Sequence, residues 1–135
     1  MAYWLLKTEP SEYSYADLER EKQTVWSGVS NNLALQHLRR MRMGDLAIIY
    51  HTGSEKAAVG VAEVGSDPYA DPKLNDPKRV VVDIKSRHPL NRLVPLSEMK
   101  SHGKLKDFEL VRNSRLSVMP VSAEIWKIIM KLSKG

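Results

Sequence analysis

Few residues in this chain have the type and spacing to drive a reaction. There is no cysteine, which removes thiolate nucleophiles, disulfides and thiolate metal sites together. The four histidines, His37, His51, His88 and His102, never pair at metal-ligand spacing. Ser97 to Lys100 and Ser101 to Lys104 both match S-x-x-K, but neither S-D-N nor K-T-G accompanies them, and no G-x-S-x-G occurs. The seven glycines form neither G-x-G-x-x-G nor a Walker loop, so no phosphate-cradling loop is legible. The expectation is a protein that is not an enzyme and takes no cofactor and no metal. What stands out instead is a set of polar and aromatic residues at the ends of expected strands: Lys7 and Thr8, then Trp26, Ser27, Gly28, Val29 and Asn31, then Tyr50, His51 and Thr52, then Tyr69, and finally Arg115 and Ser117. These side chains stack on planar rings, donate and accept hydrogen bonds and hold anions, which is the chemistry of binding.

The elements that must position them can be read from periodicity and punctuation. Residues 3–7 form an apolar first strand, stopped at Pro10. Ser14, three residues before Asp17, caps a short helix around Tyr15 to Arg20, and Thr24 to Trp26 forms a short strand. From Ser30 or Asn31 as N-cap, Leu33, Ala34, Leu38 and Met41 fall at helical spacing, with Arg39, Arg40 and Arg42 in the last turn and Gly44 beyond it. Leu46 to His51 and Ala57 to Val64 make a hairpin, residues 65–79 a long loop with three prolines, and Val80 to Arg87 a strand. Ser97 caps a short helix after Pro95, Arg115 to Val118 is a last strand, and Ser122 caps a final helix with Ile125, Ile128, Ile129 and Leu132 on one face. The expected class is α+β, with about six short strands in a small, twisted or partly closed antiparallel sheet and short flanking helices.

At 135 residues the chain is expected to form one domain spanning 1–135. With 42% hydrophobic and 27% charged residues it has the composition to bury a core. No run approaches the roughly 20 apolar residues of a membrane span, and no signal-peptide pattern is legible, so no membrane partner and a cytoplasmic location are expected. Net charge is +5, unevenly spread: residues 1–67 carry 7 Lys and Arg against 9 Asp and Glu, whereas residues 68–135 carry 14 against 7. The excess suits a polyanion partner, although an ordinary solvated basic face has the same signature.

Five collinear blocks go further. Lys7-Thr8-Glu9-Pro10, Trp26-Ser27-Gly28-Val29-Ser30-Asn31, Tyr50-His51-Thr52, Pro68-Tyr69-Ala70-Asp71-Pro72 and Arg115 to Val121 together resemble the EVE domain, over essentially the whole chain. The resemblance implies a PUA-like pseudobarrel and binding without catalysis. It implies a pocket that reads a flipped, modified base, often a modified cytosine, in DNA or RNA. The chain departs from the family pattern at Ser30, Asn32, Leu35 and Gln36, which stand where an arginine, an aromatic residue, a second arginine and an asparagine are usual.

The residues suit that implication. Trp26, followed by Ser27 and Gly28 without bulk, leaves room for a planar ring, and base-on-indole stacking contributes roughly 1–3 kcal/mol. In that role Trp26 adds little to the core, so its truncation is expected to leave the fold intact; the opposite role is plain core filling. Tyr50, His51 and Thr52 can read a base edge or simply complete a hairpin. Lys7 and Thr8 place a cation and a hydroxyl at the same rim or are solvated strand-end polarity. Arg115, with Ser117, can hold a phosphate or pair with a carboxylate, and Tyr69 is either a lid or a loop anchor. Trp4 and Trp126 are assigned to packing. The alternatives to a nucleic-acid reader are a pocket or unrecognised enzyme for a free modified nucleoside, and a protein-interaction domain. Oligomeric state is not legible.

Overall fold

A computed structural model of the chain describes residues 1–134. Strands β1 (Tyr3–Thr8), β2 (Gln23–Trp26), β3 (Leu46–His51), β4 (Ala57–Val64), β5 (Tyr69–Ala70), β6 (Val80–Pro95) and β7 (Val118–Val121) interleave with helices α1 (Tyr15–Glu21), α2 (Asn32–Arg40), α3 (Leu96–Ser101), α4 (Glu109–Arg112) and α5 (Ala123–Leu132). The class is α+β, as expected. The strands form one sheet in the order β2-β6-β4-β3-β1-β7, with β5 added to β6.

Two features differ from the sequence reading. Strands β1 and β3 pair in parallel, Tyr3 opposite Leu46 through Thr8 opposite His51, within an otherwise antiparallel sheet. The chain between them passes through α1, β2 and α2, the long crossover that a parallel pair requires. Strand β6 does not stop at Arg87 but continues to Pro95. Register shifts against β4 on either side of Gly60 absorb Pro89, which has no N–H to give a ladder. Smaller corrections follow the same logic. Helix α3 starts at Leu96 after Pro95, with Ser97 inside it and not capping. The last strand is Val118–Val121, so Arg115 and Ser117 precede it. Within the long loop, Tyr69–Ala70 pairs with Val80 and Val81. The segment 103–112, unassigned from sequence, folds into a 3-10 turn (Gly103–Leu105) and α4, burying Leu105, Phe108 and Leu110.

The core runs along the middle of the sheet. Leu5, Leu6, Ile48, Ile49, Val82 and Ile84 are almost wholly enclosed, and α2 presses Ala34, Leu35 and Leu38 against them. Burying such side chains contributes about 1.5–3 kcal/mol each. Helix α2 forms where expected because Asn31 accepts the Ala34 N–H at 3.0 Å, and Gly44, at φ +95°, lets the chain turn into β3. Asp45 clamps that turn: its carboxylate accepts the Trp4 indole N–H and the backbone N–H groups of Ala2 and Arg42, each at 3.0 Å. Trp4 and Trp126 are packing residues, the latter stacked on Tyr3 with ring centroids 4.4 Å apart.

Candidate functional site

Strand β2 lies at one end of the sheet, β1 and β7 at the other, and the sheet curls until these ends face each other across a cavity of about 450 Å³. That volume is within the ordinary range for small-molecule pockets, about 300–1,000 Å³. From β1 come Lys7 and Thr8, and from the segment before β7 comes Ser117. From β2 and its exit come Thr24, Val25, Trp26, Ser27, Gly28, Val29, Ser30 and Asn31, and the turn before α1 adds Tyr13. Eight of the thirteen residues singled out from sequence therefore converge on one cavity.

Trp26 ends β2, opposite Val82 of β6. Its ring packs into the core, leaving 7% of the residue exposed, and also walls the cavity. Core filling and pocket wall are thus one role, which corrects the expectation that truncation spares the fold. Tyr13 meets the indole edge-on, centroids 6.3 Å apart and planes at 85°. Its own hydroxyl donates to Glu21 at 2.7 Å, which fixes the ring. Gly28, at φ +83°, takes the left-handed conformation that favours glycine as the chain leaves β2. Beyond it Asn31, which also lines the cavity, uses its side-chain oxygen to cap α2.

On the opposite wall, Thr8 donates its hydroxyl to the Tyr13 carbonyl at 2.6 Å, tying β1 to the turn that carries Tyr13. Lys7 donates from Nζ to the Ser114 carbonyl at 2.9 Å and lies 6.0 Å from the centre of the Tyr50 ring. Burial holds the Lys7 ammonium below the usual lysine range. The Ser117 carbonyl accepts the Lys7 backbone N–H at 2.9 Å, extending the β1–β7 ladder to the cavity.

The other five residues lie elsewhere. His51 lies outside the lining: its Nε2 accepts the Tyr15 backbone N–H at 3.0 Å, which puts the ring proton on Nδ1, 3.2 Å from Glu55. It joins the end of β3 to the start of α1. Thr52 joins β3 to β1, its N–H donating to the Thr8 carbonyl at 2.9 Å. Tyr50 is buried beneath Lys7, outside the lining. Tyr69 is a loop anchor: its hydroxyl donates to Asp83 at 2.6 Å, and that hydrogen bond, then burial, push its pKa to about 12. Arg115 is exposed, outside the lining, and forms no ion pair among the described residues. The family departures fit their places, with Leu35 in the core and Ser30 on the cavity wall.

Tyr13 was missed from sequence. Its signal is positional, an aromatic residue immediately before the helix-capping Ser14, where side chains pack back onto the entering chain. A larger cavity of about 580 Å³, beside the Arg92–Glu98 ion pair, is lined by no Trp, Tyr or Phe and by none of the thirteen candidate site residues.

A curled α+β sheet with an aromatic-walled gap between its ends is a PUA-like fold. The ASCH protein of Zymomonas mobilis shares this fold at 12% identity, with a TM-score of 0.61 over 97% of this chain and 95% of its own. The EVE domain family matches residues 2–132, and the chain belongs to that family. Thymocyte nuclear protein 1 of Mus musculus is 32% identical over 166 residues, spanning 98% of this chain and 74% of the mouse protein. The solved structure of Rpa0253 from Rhodopseudomonas palustris is 41% identical and superposes with a TM-score of 0.95 over 99% of this chain and 94% of that one. Human THYN1 protein, solved in complex with 5-methylcytosine-containing DNA, is 27% identical, with a TM-score of 0.91 over 100% of this chain and 99% of that one.

Proposed function

We propose that this EVE domain is a binding module that takes a flipped, modified base, a modified cytosine in DNA, into the cavity between β2 and β1. The observation that carries the reading is the Trp26 wall, with Tyr13 set perpendicular to it and the polar residues Thr8, Ser27, Asn31 and Ser117 lining the same cavity. The human THYN1 complex with 5-methylcytosine-containing DNA supports it, because the two chains share their fold over their full length. Trp26 and Tyr13 supply stacking and edge contacts, while the polar residues read the ring substituents. The C-terminal excess of Lys and Arg supplies backbone attraction. The activity is binding without turnover.

The test is a titration of duplexes of one sequence carrying plain, methylated or hydroxymethylated cytosine at one position and fixed salt. Burying a bare methyl gains about 0.8 kcal/mol, roughly a fourfold preference. Because the cavity is rimmed by polar groups, the hydroxymethyl duplex is expected to bind most tightly. Equal affinity for all three would sink the reading. A free-nucleoside pocket is distinguished by salt: affinity for DNA falls steeply with ionic strength, whereas that for an uncharged nucleoside does not.

A further inference from the structure

Lys7 contributes the single charged side chain to the lining of the cavity. Three arginine–carboxylate ion pairs form among the described residues, and no carboxylate of those residues lies within 4.0 Å of the Lys7 ammonium. The half-buried group has one carbonyl, Ser114, at 2.9 Å and one aromatic face, Tyr50, at 6.0 Å. An ammonium carries three N–H donors, and the Ser114 contact engages one. A cation drawn partly out of water without a counter-charge is poorly compensated, and an anion brought to it recovers a charge-assisted hydrogen bond. The neighbouring lining contains no fixed negative charge to compete. Thr8 has already donated its proton to Tyr13, and the Asn31 side-chain oxygen is engaged in capping, which leaves that side chain only its amide NH₂ to offer.

We propose that Lys7 is the oxyanion receptor of the cavity, so that the preferred ligand is a base that carries an oxyanion or is held with one against the β1 wall. The inference rests on the reading of the cavity as a base pocket and adds the chemical class of what it selects. Two sources offer this chemistry, a carboxylate on the base ring and the phosphate flanking the flipped nucleotide.

The experiment uses the full chain and three duplexes of one sequence: one with 5-methylcytosine, one with 5-carboxylcytosine, and one with 5-methylcytosine whose flanking phosphate is a neutral methylphosphonate. Wild type is compared with Lys7→Met and Lys7→Gln, which remove the charge, and Lys7→Arg, which keeps it. Thermal melting confirms that each variant is folded. If the oxyanion is on the base, wild type binds the carboxyl duplex about tenfold more tightly than the methyl duplex; if it is the backbone, the methylphosphonate weakens binding about tenfold. In either case Lys7→Met and Lys7→Gln erase the difference and Lys7→Arg retains most of it. A difference that survives in both neutral variants, or no difference in either arm of wild type, overturns the assignment of Lys7 alone. Failure of wild type to bind any of the three duplexes overturns the base-pocket reading itself.

Discussion

Tyr13 meets Trp26 edge-on, with ring centroids 6.3 Å apart and planes at 85°, across the join between the turn before α1 and the end of β2. The positive edge of one ring against the face of the other is a favoured aromatic geometry, contributing about 0.5–1.5 kcal/mol beyond the area buried. Tyr13 is also held by Glu21 through its hydroxyl and by Thr8 through its carbonyl. The aromatic wall is therefore a braced corner, built from three chain segments before any ligand arrives.

Trp26 belongs to the core as well as to the cavity, so Trp26→Ala is expected to cost about 3–5 kcal/mol of stability as well as ligand binding. Trp26→Phe keeps a stacking face and most of the buried volume. Chemical denaturation of both variants checks this. An unchanged midpoint for Trp26→Ala would show that the indole contributes nothing to the core.

Asp45 links β1 to the turn before β3. Burial pushes its carboxyl up, but hydrogen bonds from Ala2, Trp4 and Arg42, helped by the N-terminal ammonium, outweigh it and hold the pKa below the usual aspartate range. The contribution is therefore complete above the unfolded value of about 3.8 and is lost as pH falls through the lower folded value. Asp45→Asn should lower stability at pH 7 by about 1–3 kcal/mol, since an amide cannot accept all three donors without turning its NH₂ toward one of them. It should also flatten the decline in stability below about pH 4. Denaturant melts at pH 7 and in acid read both effects.

His37 has the opposite chemistry and the same sign. Burial, then the neighbouring Arg40 cation, lowers its pKa against a weaker pull from Glu109, and its Nδ1 is enclosed without a partner. The unfolded chain takes up the proton more readily, so stability is complete above the ordinary value of 6.5 and declines as pH falls below it. His37→Gln should remove that decline. A melting curve from pH 7.5 to 5 that is identical in variant and wild type contradicts the assignment.

Gly60 lies under the Tyr15 ring, and a Cβ there would sit 2.5 Å from ring carbons. The ring cannot move aside, because Tyr15 is 4% exposed and its hydroxyl donates to the Val61 carbonyl at 2.6 Å. Gly60→Ala is expected to cost about 1–3 kcal/mol by overpacking. Because α1 follows directly on the Tyr13 turn, the same change should loosen the cavity corner. Gly103→Ala, where nothing lies within 4 Å, is the matched control in the same melting experiment.

Local signals carried much of this architecture. The Asn31 cap, the alternation along β4 and the Ser122 cap are interactions within a few residues of one another, and each element formed where those residues placed it. Pairing between distant segments left no such trace. The parallel union of β1 with β3 joins residues 43 apart, and the extension of β6 through Pro89 depends on irregular register against β4. The cavity was legible where one loop builds it, from Trp26 to Asn31. His51 and Thr52 fall outside the cavity lining, and a polar residue at a strand end looks alike in sequence whether it faces a cavity or a neighbouring element. The Tyr15 N–H that engages His51 comes from 36 residues away.

The central claim is that the modified base rests on Trp26, and the Trp26 indole N–H resonance tests it most directly. The chain has three tryptophans, so three indole signals are expected, and Trp26→Phe identifies one of them by its loss. On titration with a duplex carrying a single modified cytosine, that signal is predicted to shift strongly and saturably. The Trp4 signal, donated to Asp45 in the core, should stay in place, as should that of Trp126 stacked on Tyr3. A duplex that binds while the Trp26 signal remains unmoved would contradict the account.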